Sequence, residues 1–222
     1  MLSATEQPAV LRRSKGERTK KLILESAIVM LAEHGIKGTT HRAIATHANL
    51  QLSLTTYYFK DIQDLVQQAF ELNAANAGED IVTLWQPILA LVAEQPKKVL
   101  RRVSQRMLLR EELTDSLLAL TTRNVEKNRQ QVLVEQQLFN EALVSSSARL
   151  LAGQHYQALL KPCQQLCQYF NKEKAKVNAE ILLNLLKQAH YHQLLAEVPA
   201  ENNPDIRAFL HQALAIVLGL KP

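Results

Sequence analysis

The chain has 222 residues, of which 47% are hydrophobic and 21% are charged, with six glycines and seven prolines. This composition favours a folded helical protein over intrinsic disorder. The apolar runs are short and interrupted by charge, which excludes a membrane span. The N-terminus lacks the apolar core of an export signal. Two cysteines are too few for a disulfide framework. We therefore expect a cytoplasmic protein with no membrane partner.

The formal charge of +5 is unevenly divided along the chain. Residues 1–60 contain nine Lys or Arg against four acids, whereas the remainder contains 17 of each. This concentration of positive charge is the electrostatic footprint of a domain that binds a polyanion such as DNA. The alternative is a solvated basic tail.

The first predicted helix runs from about Glu17 to His34, after a flexible basic arm at residues 1–16. Ile23, Ala27 and Leu31 recur at a spacing of four, which is the apolar stripe of a helix packed on its neighbours. Gly35 then predicts the end of this helix.

Residues 39–60 predict two short helices separated by a tight turn. Thr40 has the hydroxyl of an N-cap, and Asn49 tolerates the left-handed backbone conformation that can end a helix. A second helix over residues 52–58 follows. This pattern predicts a helix–turn–helix, whose second helix enters the DNA major groove.

Hydroxyl, amide and cationic side chains in this segment predict the DNA contacts. Phe59 is expected in the core beneath, packed against Leu65, and one of the two leucines early in the second helix is expected there too. Arg42 is either a phosphate contact or a solvated charge. The predicted DNA-binding residues are Thr40, Arg42, Gln51, Leu52, Ser53, Leu54, Thr56, Tyr57, Tyr58 and Lys60.

Residues 17–70 resemble the N-terminal domain of the TetR/AcrR family of transcriptional regulators. The resemblance is carried by Gly35, Gly38, Thr40, Ile44, Ala45, Ala48, Tyr57 and Phe59. It departs from the family pattern at Asn49, where Gly is usual, and at Gln51, Thr56 and Ile62. The resemblance implies a three-helix DNA-binding domain at 17–77, followed by a helical ligand-binding and dimerisation domain at 78–222.

Beyond residue 60 the pattern is helical throughout, so we predict an all-α fold. Asp61 is expected to cap a fourth helix that Gly78 closes, and the later prolines, including Pro87 and Pro162, are expected to separate helices. Further helices are predicted at 80–94, 96–110, 122–145 and 147–169.

The resemblance implies a small-molecule pocket between about residues 80 and 170. Aromatic side chains and one cation are typical linings of such pockets, although they equally fill ordinary cores. The candidate linings are Trp85, Arg106, Phe139, Tyr156 and Tyr169.

The last two predicted helices, 178–195 and 203–220, carry more apolar surface than one internal face needs. This excess predicts a homodimer through a four-helix contact, and the alternative is that both helices complete the monomer core. The candidate interface residues are Leu182, Leu185, Leu186, Ala189, Phe209, Ala213 and Ile216.

No catalytic motif or phosphate-binding loop occurs, so we expect no enzyme activity and no cofactor. Cys163 and Cys167 share a helical face, but a buried structural role is favoured over a metal or redox site, and no metal is expected. The sequence therefore predicts a homodimeric repressor that binds an operator in double-stranded DNA and is released by a small-molecule effector. The rivals are an inducer-free DNA-binding protein acting through DNA architecture or a protein partner, and a helical carrier or enzyme.

Overall fold

The computed structural model describes residues 6–195 and 204–221, without the side chains of 6–14, 123–128 and 204. This part of the chain forms α-helices and no strand, which confirms the predicted all-α fold. The helices are α1 Glu6–Gly38, α2 His41–His47, α3 Leu52–Tyr58, α4 Ile62–Ala93, α5 Lys97–Leu100, α6 Val103–Glu141, α7 Ser146–Phe170, α8 Ala175–Leu195 and α9 Pro204–Leu218. None of these described helices combines the length and apolar character that crossing a membrane requires.

The chain divides into two compact units. The first contains the described residues up to Asn76 together with Gln130–Ala152, and the second contains Ala77–Arg129 and the described residues from Gly153 onward. The first division point lies next to the predicted domain boundary. Gln130–Ala152 belongs to the first unit, whereas the predicted domains placed these residues in the second.

The core of the first unit joins α1 and α4 to the second half of α6. Ile23, Leu31, Phe59 and Leu65 are almost fully buried, as the apolar periodicity predicts, and Val134 from α6 is buried in the same cluster. The side-chain amide of Asn73 also donates a hydrogen bond of 3.3 Å to the carbonyl oxygen of Gln131. Burial of these apolar side chains supplies the main stabilisation that holds the short helices in place.

The core of the second unit is built from α4 to α9. Leu113 and Leu117 of α6 are fully buried together with Leu166 of α7, Leu182 of α8 and Leu210 of α9. The predicted helices at 178–195 and 203–220 agree with α8 and α9, while the loop predicted between them, with Pro199, lies outside the described residues.

The predicted boundaries of α1 and α4 differ from the structure. The helix α1 begins at Glu6, so residues 6–16 are helical rather than a flexible arm. Pro8 lies in its first turn, where backbone N–H groups have no intrahelical partner and the missing donor costs little. The helix α4 continues past Gly78, since the second unit's core packs against its later turns through Trp85 and Ile88.

Pro87 and Pro162 lie inside α4 and α7 instead of between helices. A proline in a helix interior removes one backbone hydrogen bond and costs about 3 kcal/mol. Pro162 is itself buried beside Cys163, whereas Pro87 is exposed but adjoins the buried Ile88. Apolar burial along each helix offsets the cost. By contrast, Pro96 is the N-cap of α5, as its role of separating helices predicts.

Candidate nucleic-acid interface and ligand cleft

The start of α2 is defined by Thr40. Its backbone is extended (φ −125°, ψ 157°), and its hydroxyl accepts a hydrogen bond of 3.1 Å from the backbone N–H of Ala43. This is the predicted N-cap, because the hydroxyl satisfies one of the N–H groups that the helix leaves unpaired. Thr40 is also exposed, so its hydroxyl hydrogen stays available to a further acceptor.

The turn between α2 and α3 depends on Asn49. Its φ of 52° is the only positive φ of a non-glycine residue in the described part of the chain. The next residue, Leu50, donates its N–H to the carbonyl oxygen of Ala45 at 2.9 Å and closes the helix end. Asn therefore performs the role that Gly usually takes at this type of helix end, as the sequence predicts.

The helix α3 covers residues 52–58, in agreement with the prediction, and its outer face is formed by polar and aromatic side chains. Tyr57 is 79% exposed and Leu52 is 44% exposed, whereas Leu54 packs against the core of the first unit. One leucine of the pair therefore lies in the core, as expected. The exposed residues at this end of the unit are Gln51, Leu52, Ser53, Thr56, Tyr57 and Lys60.

Two predicted DNA contacts are partly engaged within the protein. The hydroxyl of Thr56 donates to the carbonyl oxygen of Ser53 at 3.1 Å. Tyr58 is half-buried, and a Cβ added to Gly16 would lie 3.3 Å from its phenol oxygen. The Tyr58 hydroxyl therefore lies against α1, a contact between distant residues that no local sequence pattern reveals.

Phe59 anchors this segment in the core. It is 1% exposed, and the ammonium of Lys20 in α1 lies 5.5 Å from the centre of its ring. A cation over an aromatic face is attracted by the electron density of the ring. This contact and the burial of Phe59 link α1 to the end of α3.

The first turn of α4 is held by two aspartates. Asp61 accepts a hydrogen bond of 2.8 Å from the N–H of Asp64, which confirms the predicted cap. The carboxylate of Asp64 in turn accepts from the side chain of Gln68 at 2.8 Å and from the backbone N–H of Lys60 at 3.0 Å. These hydrogen bonds lower the pKa of Asp64, and they fix the backbone at Lys60.

The two helices of the helix–turn–helix carry no acidic side chain. Neither α2 nor α3 contains an Asp or Glu, while Arg42 and Lys60 are exposed. In α1, Lys15, Arg18 and Lys21 are exposed as well. A surface of this composition attracts the phosphate backbone of a nucleic acid and does not repel it locally.

The predicted pocket residues do not lie together. Arg106 and Tyr169 line one cleft of about 640 Å³ in the second unit. Trp85 is buried in that unit's core, and Phe139 packs against the core of the first unit. Tyr156 is half-buried, and its hydroxyl donates to the carboxylate of Glu180, with burial raising its pKa to about 12. Sequence alone did not separate these positions, because aromatic residues occur in cores and clefts alike.

The predicted interface residues divide by burial. Leu182, Leu186, Ala189 and Ala213 are buried within the single chain, so they cannot contact a second copy without opening its core. Leu185 and Phe209 are half-buried, and Ile216 is 45% exposed. These three remain as candidate interface residues.

The cysteine pair is buried in the second unit. Cys163 and Cys167 are both fully covered, and burial raises the pKa of the Cys167 thiol to about 12. Burial raises the pKa of Cys163 as well. The described residues contain no group of three or more potential ligands placed to hold a metal ion.

Two comparisons relate the chain to known proteins. Residues 23–69 match the family model described as bacterial regulatory proteins, tetR family. No curated protein has a significantly similar sequence.

Several solved structures share the fold over most of their length. A member of the TetR family from Streptomyces coelicolor A3 is 20% identical, with a TM-score of 0.63 over 90% of this chain and 97% of its own. The multidrug binding protein EbrR, complexed with proflavin, is 22% identical, with a TM-score of 0.53 over 90% and 99%. A Saccharomonospora viridis protein in complex with choline is 17% identical, with a TM-score of 0.65 over 88% and 95%.

Proposed function

We propose that this chain, a member of the TetR family by its N-terminal domain, is a homodimeric repressor that a small molecule releases from a specific operator. The family match and the helix–turn–helix show a DNA-binding transcription regulator. The repressor role, the operator, the dimer and the effector are the proposal.

The observation that carries the DNA-binding part is the outer face of α3. It presents Ser53 and Tyr57 on a helix without any carboxylate, with Gln51 as its N-cap and Lys60 two residues after its end. Amide and hydroxyl groups can hydrogen-bond to base edges, and the exposed methyls of Leu52 can contact a thymine methyl. We assign base contacts to the start of α3 and phosphate contacts to Arg42, Tyr57 and Lys60.

The short length of α3 favours a dimer. A seven-residue recognition helix reaches only a few base pairs, and two copies related by a two-fold axis double both the half-sites and the phosphate contacts. On α9, Ala208, Gln212 and Ile216 are exposed at a spacing of four, so they form one outward row. The small Ala208 and the apolar Ile216 at the two ends of this row permit close packing of a second helix.

Release by a small molecule is supported by the second unit. Its cleft of about 640 Å³ lies within the range of ligand-binding pockets. Two structural relatives, EbrR and the S. viridis protein, are complexed with proflavin and choline.

A selection of genomic fragments with the purified protein at near-physiological salt tests the DNA-binding proposal. We expect one enriched palindromic site. Uniform, salt-sensitive binding without an enriched site would contradict operator recognition and would favour an architectural role.

The assigned contacts are tested on the selected fragment. Lys60→Ala should weaken binding and reduce the slope of log K against log salt by about 0.9, because one phosphate contact is lost. Tyr57→Ala should weaken binding with little change in slope, since no charge is removed. Lys98→Ala is the matched control, because Lys98 is also exposed but lies on α5 in the second unit. Equal effects of Lys60→Ala and Lys98→Ala would refute the assignment.

The dimer is tested by sedimentation. The wild type should sediment as a dimer, and Ile216→Asp should shift it toward the monomer, since a carboxylate would be buried in the interface. A monomeric wild type would contradict the proposal.

A further inference from the structure

The cleft of the second unit, which we call the cationic cleft, lies at the ends of α5 and α7. Its volume is about 640 Å³. It is lined by Leu89, Lys97, Leu100, Arg101, Arg106, Gln165, Gln168, Tyr169, Phe170 and Lys172. This lining contains four cations and no carboxylate.

The four cations have no counter-ion among the residues that the structure describes. Neither Lys97, Arg101, Arg106 nor Lys172 forms an ion pair within the part of the chain that the structure describes. Arg207 in the same unit shows the contrast, because it lies 2.9 Å from Glu111 and 3.0 Å from Asp115. Four like charges around one cleft raise its positive potential, which an anion would relieve.

Arg106 is the cation that the fold holds in place. Its Nε donates to the carbonyl oxygen of Leu100 at 2.6 Å, and its Nη1 donates to that of Leu218 at 2.8 Å. Its guanidinium also lies 5.9 Å from the centre of the Phe170 ring. Neutral carbonyls satisfy these donors without removing the net charge, so the cleft has a preorganised positive group.

The remaining lining is apolar or aromatic. Leu89 and Phe170 are half-buried, Leu100 is 3% exposed, and Tyr169 is 42% exposed. The amides of Gln165 and Gln168 add neutral hydrogen-bonding groups beside them. The cleft therefore offers an apolar surface next to four positive charges.

We propose that the cationic cleft binds an amphipathic organic anion, with a carboxylate, sulfonate or phosphate head and an apolar body. The anionic head lies among Lys97, Arg101, Arg106 and Lys172, and the apolar body lies against Leu89 and Phe170. As the identity of the effector, this assignment rests on the proposed function. As a binding site, it does not depend on DNA.

Binding at this site reaches α9 through Arg106. The carbonyl of Leu218 is at the end of α9, where Gly219 with φ 64° reverses the chain and Leu220 donates to Ala215 at 2.9 Å. A guanidinium has five N–H donors, so an anion can bind the remaining ones while the Leu218 carbonyl stays bound. The ligand is thereby linked through Arg106 to the end of the helix that carries the proposed dimer row.

Calorimetric titration of the full-length protein without DNA tests the site with three ten-carbon probes. We expect decanoate to bind, decanol to bind at least tenfold more weakly, and decyltrimethylammonium not to bind. The two charged probes are kept below their micellar concentrations and decanol below its solubility limit. Equal affinity for decanoate and decanol, or no binding of decanoate, would overturn the proposal.

A matched pair of double variants locates the site. Lys97→Ala with Lys172→Ala should weaken decanoate binding by about tenfold or more, because each lysine at contact distance contributes about a fivefold factor in a water-like dielectric. Lys98→Ala with Lys174→Ala removes the same charge from the same two segments, and both residues are exposed and outside the cleft. Equal weakening by the two pairs would show a non-local charge effect and would overturn the assignment.

The role as effector site is tested separately. Saturating decanoate should release the wild type from its selected fragment, and the Lys97→Ala, Lys172→Ala variant should need at least tenfold more. Tight decanoate binding without release would overturn the effector role while leaving the site in place. A failed operator selection would refute the proposed function without affecting the calorimetric result.

Discussion

Replacing Thr40 by alanine isolates the contribution of one hydroxyl to the helix–turn–helix. The hydroxyl accepts the N–H of Ala43 at 3.1 Å, and α2 has only seven residues, so this bond is a large part of its N-terminal pairing. Loss of a Thr N-cap costs about 1 kcal/mol, within a range of roughly 0.5–2 kcal/mol. Because Thr40 is exposed and water can partly replace the bond, we expect about 1 kcal/mol.

Urea unfolding followed by circular dichroism measures this cost. Thr46→Ala is the matched control, because Thr46 is exposed on the same helix and alanine has the higher helix propensity. The control should be as stable as the wild type or slightly more stable. A Thr40→Ala protein as stable as Thr46→Ala would refute the capping role.

Thr40→Asp separates capping from DNA binding. A carboxylate also accepts the N–H of Ala43 and is favourable at a helix N-terminus, so stability should be close to that of the wild type. The same negative charge should repel a DNA phosphate and weaken operator binding about tenfold or more. Retained stability with unchanged DNA binding would remove Thr40 from the proposed interface.

Three further predictions concern single residues. Asn49→Val should destabilise the protein by about 1–2 kcal/mol in urea unfolding, because valine disfavours the φ of 52° at this position. Asn49→Gly should be nearly neutral, and equal effects of the two variants would contradict the backbone reasoning. The hydrogen bond from Gln68 lowers the pKa of Asp64 in the folded protein below the unfolded value near 3.8. The Asp64 carboxylate therefore stabilises the fold above that value, and this stabilisation is lost as pH falls through the lower folded pKa. The stability difference between the wild type and Asp64→Asn should therefore shrink between pH 7 and pH 3 in urea unfolding, and a constant difference would count against this assignment. Because burial raises the pKa of Cys163 and Cys167, neither thiol should react with Ellman's reagent at pH 8 until urea unfolds the protein, and rapid native-state labelling would contradict their burial.

Local signals predicted the helix–turn–helix closely. The N-cap at Thr40, the left-handed residue at Asn49, the bounds of α3 and the cap at Asp61 each depend on a few neighbouring residues, and the structure confirms all four. The left-handed φ of 66° at Gly35 likewise confirms the expected break near the end of α1. Side-chain hydrogen bonds and backbone preferences of this kind are short-range, so the sequence carries them directly.

Longer helices were predicted less well, because their ends depend on packing. Gly78, Pro87 and Pro162 disfavour helix in isolation, yet each lies within a helix whose neighbouring residues contribute to a buried core. Apolar burial over several turns exceeds the local cost of about 1–3 kcal/mol per residue.

The candidate sites also combine features set by neighbouring residues with features set by distant ones. Side-chain chemistry predicted Phe59 in the core and Tyr57 outside, but it could not show that Tyr58 lies against Gly16 or that Arg106 joins the ends of α5 and α9. Only the tertiary structure brought Lys97 and Lys172 to one cleft and separated Phe139 from it.

The sequence by itself determined the all-α fold, the position of the helix–turn–helix and the concentration of positive charge in the first 60 residues. These properties depend on periodicity, local capping and composition, which act within a few turns of helix. The tertiary structure decided which helix segments form each unit, which apolar side chains remain partly exposed on α8 and α9, and which cations surround a cleft. Those outcomes depend on contacts between residues far apart in the chain, and such contacts follow from how whole helices pack against one another.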